Sequence, residues 1–258
     1  MMEMAVSRAT AMVRKIELTD LRWALQQGWD DFKTHRGDII VLVIIYPVAT
    51  MLAAFFALNA DLFALIFPVV GGFALLGPAV AAGFYELARR REAGLEAGWG
   101  HFLAPVTGRA GLPLAVLTLM LVAIFLAWLV AAQAIFDATV GRLTPATPAE
   151  FGAALIGTSE GLSMIVVGNL VGAGFAVVTL ALAAFSFPMV VDTGCGPLTA
   201  LKTSLSAFRR SPVTMMAWGV AVAVILALAA LPLLIGLVVA LPVLGYATWH
   251  LYTRAVVR

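Results

Sequence analysis

The chain has 258 residues, 62% of them hydrophobic and only 12% charged, with a mean hydropathy of +1.02. Soluble domains carry about 25% charged residues, so a chain with half that share cannot cover a water-facing surface, and a soluble globular domain is excluded. The formal net charge of +2 is too small for nucleic-acid binding, which leaves the lipid bilayer as the expected surroundings.

Residues 1–38 are polar and charged, and the first apolar run begins at Ile39. A signal peptide would have a shorter apolar core much nearer the N-terminus. The first spanning helix is therefore expected to insert the chain and to stay in place. Within 1–38, Leu18, Leu21, Leu25, Trp29 and Phe32 fall at helical spacing, which predicts an amphipathic helix lying in the membrane interface. Asp20 comes early in it and Lys33 and Arg36 come late, as the helix macrodipole favours.

Apolar stretches follow at roughly 39–58, 62–84, 112–136, 163–191 and 213–252. A spanning helix needs about 20 residues, so the last stretch holds two. They divide near Leu231-Pro232, because proline lacks a donor and sits best at a helix start. The expectation is an all-α polytopic bundle of about six spans over 39–252, between an N-terminal segment 1–38 and a tail 253–258. The first span carries twelve Leu, Ile, Val or Phe residues and no charge, which favours insertion by about 5 kcal/mol.

Lys and Arg set the expected orientation. With the N-terminus inside, the cytoplasmic pieces 1–38, 85–111, 192–212 and 253–258 hold fifteen of the sixteen Lys and Arg residues. The opposite side has only Arg142. This is the positive-inside bias, and it puts both termini in the cytoplasm. The one cysteine, Cys195, forms no internal disulfide and reveals no redox compartment.

Three stretches before odd-numbered spans look alike: Gly28-Trp29-Asp30-Asp31-Phe32, Gly98-Trp99-Gly100-His101-Phe102 and Ser204-Leu205-Ser206-Ala207-Phe208. Each reads as a short interfacial helix. In the third, Pro197 suits the first turn, and Leu198, Leu201, Leu205 and Phe208 make the apolar stripe. The even-numbered spans carry Pro78, Pro188 and Pro242. The expected unit is an interfacial helix, a span and a kinked span, used three times.

The closing run Pro242-Val243-Leu244-Gly245-Tyr246-Ala247-Thr248-Trp249-His250-Leu251-Tyr252 resembles the terminal signature of a bacterial membrane family, domain of unknown function twenty-one eighty-nine. Val13-Arg14-Lys15-Ile16, Gly28-Trp29-Asp30-Asp31-Phe32 and Gly83-Phe84-Tyr85-Glu86-Leu87 resemble it too, so the likeness runs over nearly the whole chain from about Val13. It implies a bacterial inner-membrane protein. The family pattern has histidine where this chain has Tyr246, so no paired-histidine site is expected. Some members carry the label of cytochrome c oxidase subunit I. A haem–copper core needs several buried histidines, and this chain has only His35, His101 and His250, at loops or a helix end. It is not the catalytic subunit, though an accessory role beside such a complex stays open.

Candidate sites are few. Gly168, Asn169 and Gly172 place small residues four apart with an amide between them. That pattern suits helix packing first and a solute contact second. Glu86 and His250 stand at equivalent cytoplasmic helix ends beside arginines, a candidate interface site whose simplest reading is surface ion pairing. Arg89, Arg90 and Arg91 could meet lipid headgroups, although topology alone accounts for them. Asp192-Thr193-Gly194 resembles an aspartic-protease tripeptide but has no second copy to share a proton, so it reads as a turn. Cys195 reads as an incidental thiol, and the loop 137–160 as a short ordered connection. Pro47, Pro68, Pro78, Pro188 and Pro242 free backbone carbonyls that neighbours must satisfy.

No Asp, Glu, Lys or Arg falls in the centre of a span, which argues against a proton pump, a voltage sensor and an ion-coupled carrier with a central carboxylate. No cofactor, metal or catalytic set is expected. The first functional expectation is a non-enzymatic accessory, assembly or scaffolding protein, with a membrane-protein partner or a second copy of the chain. The alternative is a carrier or channel for an apolar or amphiphilic solute. A third reading is a lipid-active enzyme using Glu86, His101 or His250.

Overall fold

The computed structural model describes residues 12–34, 65–145, 147–231 and 234–258. The expected first span, 39–58, lies outside the described residues, as do His35, Arg36 and Pro47. Among the described residues the chain is all-α, with an isolated antiparallel bridge between Val13 and Val256. The helices in chain order are α1 (Leu18–Thr34), α2 (Ile66–Phe73), α3 (Gly77–Val80), α4 (Ala82–Glu92), α5 (Ala104–Thr107), α6 (Gly111–Ala138), α7 (Pro148–Gly157), α8 (Ser159–Ala183), α9 (Ser186–Thr193), α10 (Pro197–Arg210), α11 (Pro212–Ala230) and α12 (Leu237–Ala255).

Four stretches among the described residues are long and apolar enough to cross a membrane: Pro68–Glu92, Gly111–Ala138, Ser159–Thr193 and Pro212–Ala230. They correspond to the expected spans 62–84, 112–136, 163–191 and the first half of 213–252. The expected sixth span is α12, which is not one of these four. Its second half carries Tyr246, Thr248, Trp249, His250 and Arg254, and every residue from Leu244 to Trp249 is buried. Protein, rather than lipid, surrounds that half of the helix.

Proline explains the breaks. The stretch 68–92 is divided into α2, a 3-10 turn at Ala74–Leu76, α3 and α4, around Pro78, which has no N–H to give the carbonyl four residues back. The stretch 159–193 breaks between α8 and α9, just ahead of Pro188. There the hydroxyl of Ser204 in α10 enters the opened ladder. It accepts from the Phe185 N–H at 3.2 Å and donates to the Ala181 carbonyl at 2.9 Å. One side chain thus satisfies two backbone groups that the bend has separated.

The chain packs as two compact units. Of the described residues, one unit draws on those within 12–34, 78–118 and 180–258, the other on those within 65–77 and 119–179. In the first, α4, α9 and α12 contact one another in all three pairings. Each also carries one neighbouring segment. The 3-10 turn Trp99–His101 and α5 lie on α4, α10 lies on α9, and α1 lies on α12.

Glycines make two of these contacts close. A Cβ on Gly28 of α1 would come 2.5 Å from the Val243 carbonyl oxygen and 2.8 Å from the Ala247 nitrogen, so α1 and α12 touch backbone to backbone. A Cβ on Gly83 would strike the Phe102 ring at 2.5 Å. Phe84 then stands edge-on to Phe102 and Tyr246, with ring centroids 5.0 and 5.5 Å apart. The two chain ends are tied as well: Arg14 N–H donates to the Ala255 carbonyl at 2.7 Å and Val257 N–H to the Met12 carbonyl at 2.9 Å.

The buried faces differ from the expected stripes. α1 buries Leu21, Ala24, Gly28 and Asp31, while Leu18 and Trp29 stay exposed. α10 buries Ala200, Thr203, Ser204 and Ala207 and leaves Leu198 exposed. Small side chains let these helices approach closely, which turns part of each large apolar stripe outward. The middle segment, 98–102, is a 3-10 turn rather than a helix with a stripe.

In the second unit the connection 137–160 holds more structure than a loop: a 3-10 turn at Val140–Leu143 and the helix α7. Thr147 caps α7 by accepting from the Glu150 N–H at 3.2 Å. Thr158 accepts from the Gly161 N–H at 3.0 Å at the start of α8. A Cβ on Gly161 would lie 2.2 Å from the Ala154 carbonyl oxygen, so only glycine fits this tight α7–α8 corner.

Candidate functional site

The first unit gathers its charges at the ends of α4, α9 and α12. Glu86, 5% exposed, takes a two-pronged pair from Arg89, with Nε and Nη2 each 2.8 Å from a carboxylate oxygen. Arg90 stands 3.6 Å from Glu86 and donates to the Glu96 carbonyl at 2.6 Å. Arg91 reaches back to α1, giving one N–H to Asp31 at 2.6 Å and another to the Thr34 hydroxyl at 3.0 Å. All three arginines proposed as headgroup contacts therefore already hold internal acceptors.

His250 belongs to the Asp31 cluster. Its Nε2 lies 2.8 Å from the second oxygen of Asp31, which is 8% exposed. The Trp23 ring stands edge-on to the imidazole, and the Arg254 guanidinium lies 4.1 Å from the centroid of the same Trp23 ring. Glu86 and His250, paired by their positions in the sequence, thus have different immediate partners.

A third cluster joins Glu92, Asp192, Trp249, Tyr252 and Arg258. The Trp249 indole donates to Glu92 at 3.1 Å and the Tyr252 hydroxyl to Asp192 at 3.0 Å. Arg258 pairs with Glu92 and stands 3.8 Å from Asp192. Partial burial works against the Arg258 charge, but the hydrogen bond and charge of Glu92, with Asp192, outweigh it and hold the guanidinium above its ordinary pKa. Asp192-Thr193-Gly194 is the end of α9, with Gly194 in the left-handed region as its cap. Among the described residues, no three His, Cys, Asp or Glu side chains group as metal ligands.

Asp31 and Glu92 were not singled out in the sequence, although they anchor two of the three clusters. The signal for Asp31 was its place in the motif Gly28-Trp29-Asp30-Asp31-Phe32, which did not reveal that its side chain is the buried one.

The second unit holds a cavity of about 530 Å³, walled by α2, α6, α7 and α8. Pro68, Trp128, Ile135, Phe151 and Ile165 are among the residues that line it, with Gly168 and Asn169 on α8. Trp128 sets its shape. The indole N–H donates to the Pro68 carbonyl at 2.9 Å, and a Cβ on Gly172 would come 3.1 Å from the ring. Phe136 and Phe151, 6.1 Å between centroids, join α6 to α7.

The three small or polar residues of α8 thus divide their work. Gly172 serves helix packing. A Cβ on Gly168 would meet nothing within 4 Å, and Asn169 lines the cavity while its Nδ2 donates to the Ile165 carbonyl at 2.7 Å. Trp128 carried no signal in the sequence, because a tryptophan within a 28-residue apolar helix has no periodicity to mark it.

A family model described as a predicted integral membrane protein matches residues 66–192, a narrower stretch than the resemblance from Val13 onward. The match runs from α2 into α9 and includes every described residue of the cavity wall. No curated protein and no solved structure matches the chain.

Proposed function

We propose that this chain, whose residues 66–192 match the model of the DUF2189 family of predicted integral membrane proteins, is a non-enzymatic membrane protein that takes an apolar or amphiphilic molecule between its spanning helices. The observation that carries this reading is the cavity of about 530 Å³ beside Asn169, a volume within the ~300–1,000 Å³ usual for small-molecule sites. The non-enzymatic part is supported by the ion pairs. Glu86 and His250, two of the three groups that an acid–base mechanism would draw on, are engaged with arginines and with Asp31 respectively.

The positive-inside bias supports a multi-pass protein with both termini cytoplasmic, and the family resemblance supports the bacterial inner membrane as its place. Three repeated units are supported by the cyclic order in which the three segments lie on α4, α9 and α12. Reconstitution tests the main reading. Proteoliposomes should take up or exchange an apolar probe faster than protein-free vesicles, and Gly168→Leu, which projects into the cavity, should remove the gain. Equal rates with and without protein would reject transport.

A second reading, an accessory or assembly role, is favoured by the large side chains that α1 and α10 leave exposed, Leu18, Trp29 and Leu198. Native mass spectrometry of the protein in lipid nanodiscs from its own host tests it. A stoichiometric partner or a second copy supports assembly, and a bound small molecule with no partner moves the weight to the cavity.

A further inference from the structure

The chemistry of the cavity wall narrows what can occupy it, given the proposal that it binds a molecule at all. None of its described lining residues is Asp, Glu, Lys, Arg or His. A carboxylate, phosphate or ammonium held against this wall would meet no counter-charge from it, and an unpaired charge in apolar surroundings costs far more than a neutral group. The indole N–H of Trp128 is committed to the Pro68 carbonyl. The Asn169 amide is then the polar side-chain group left on the described wall.

The amide is half used. Nδ2 donates to Ile165 within the same helix, which fixes the amide's orientation and identifies Oδ1 as the acceptor. Among the described residues no donor is hydrogen-bonded to that oxygen. We infer that the cavity selects a neutral amphiphile, an alkyl or isoprenoid body ending in a hydroxyl that donates to Asn169 Oδ1. Long-chain alcohols and monoacylglycerols have this chemistry, and fatty-acid anions and phospholipid headgroups do not. Trp128 and Phe151 pack against the apolar body, and the hydroxyl gains an acceptor that bulk acyl chains do not offer.

The test is photo-crosslinking of the full chain in nanodiscs with three diazirine probes of equal chain length: a monoacylglycerol, a fatty acid and a phosphatidylcholine. Crosslinked peptides are located by mass spectrometry. The monoacylglycerol is expected to label α6, α7 and α8 peptides saturably and in preference to the other two. Asn169→Leu, which removes the acceptor at similar size, should weaken that labelling by about tenfold. Gly168→Leu, at a position where a Cβ meets open space, should abolish it without unfolding the chain.

Equal labelling by all three probes, unchanged in Asn169→Leu, would overturn the ligand class and leave the cavity reading standing. Preference for the fatty acid would overturn the class in the same way. If no probe labels the wall of the wild-type chain, or if labelling is unchanged in Gly168→Leu, the inference and the cavity reading fall together.

Discussion

At the scale of single residues, the molecule rests on side chains that complete the backbone and on carboxylates that tie elements together. Ser204 is the clearest case of the first. Its hydroxyl bridges the Phe185 N–H and the Ala181 carbonyl inside the broken 159–193 stretch. Ser204→Ala should lower stability by about 1–3 kcal/mol, the cost of leaving a buried backbone group unsatisfied, read as a lower midpoint of thermal unfolding in detergent. An unchanged midpoint would mean that the ladder closes again without the hydroxyl.

Asp31 is the clearest case of the second. Asp31→Ala strips the acceptor from both Arg91 and His250. Arg91 keeps Thr34 and part of its exposure to water, so the loss should be about 2 kcal/mol rather than that of a fully enclosed pair. A loss no larger than that of Asp30→Ala, which removes an exposed partner of Lys33 and so acts as the surface control, would contradict the role given to Asp31.

At the scale of elements, close approach decides which helix lies where. The contact of α1 with α12 depends on Gly28, whose added Cβ would overlap the Val243 carbonyl oxygen. Gly28→Val should force the helices apart at about 1–3 kcal/mol and open α1 to limited proteolysis between residues 18 and 34, while the rest of the described chain stays protected. The α7–α8 corner makes the same demand at Gly161, where a Cβ meets the Ala154 and Leu155 carbonyl oxygens at 2.2 and 2.4 Å. Gly161→Ala should displace α7 and with it Phe151 from the cavity wall. The check is loss of probe labelling in α7 peptides with α1 protection unchanged. The family-like glycines Gly28, Gly83 and Gly245 all lie where another element presses against the backbone, so these motifs are legible first as packing joints.

At the scale of the whole molecule, composition and the sorting of basic residues carry the membrane reading. Four apolar helices of sufficient length are present among the described residues, and the expected orientation has a direct check. In a Cys195→Ser background, Arg258→Cys should react with a membrane-impermeant maleimide only after spheroplasts are permeabilised, whereas Ala154→Cys should react before. The reverse pattern would invert the topology.

The sequence by itself determined that the protein lives in lipid, that it is helical, where four spans run, and that the last apolar stretch turns near Leu231. Those properties follow from transfer free energy and from proline's missing donor, which act locally along the chain. The tertiary structure alone decided that the small faces of α1 and α10 are the buried ones and that Asp31 is shared by Arg91 and His250. It also decided that Trp128, held by Pro68 and Gly172, shapes a cavity beside Gly168. Each of these depends on which backbones approach closely, and that is set by contacts between residues up to 219 positions apart, which no local period in the sequence records.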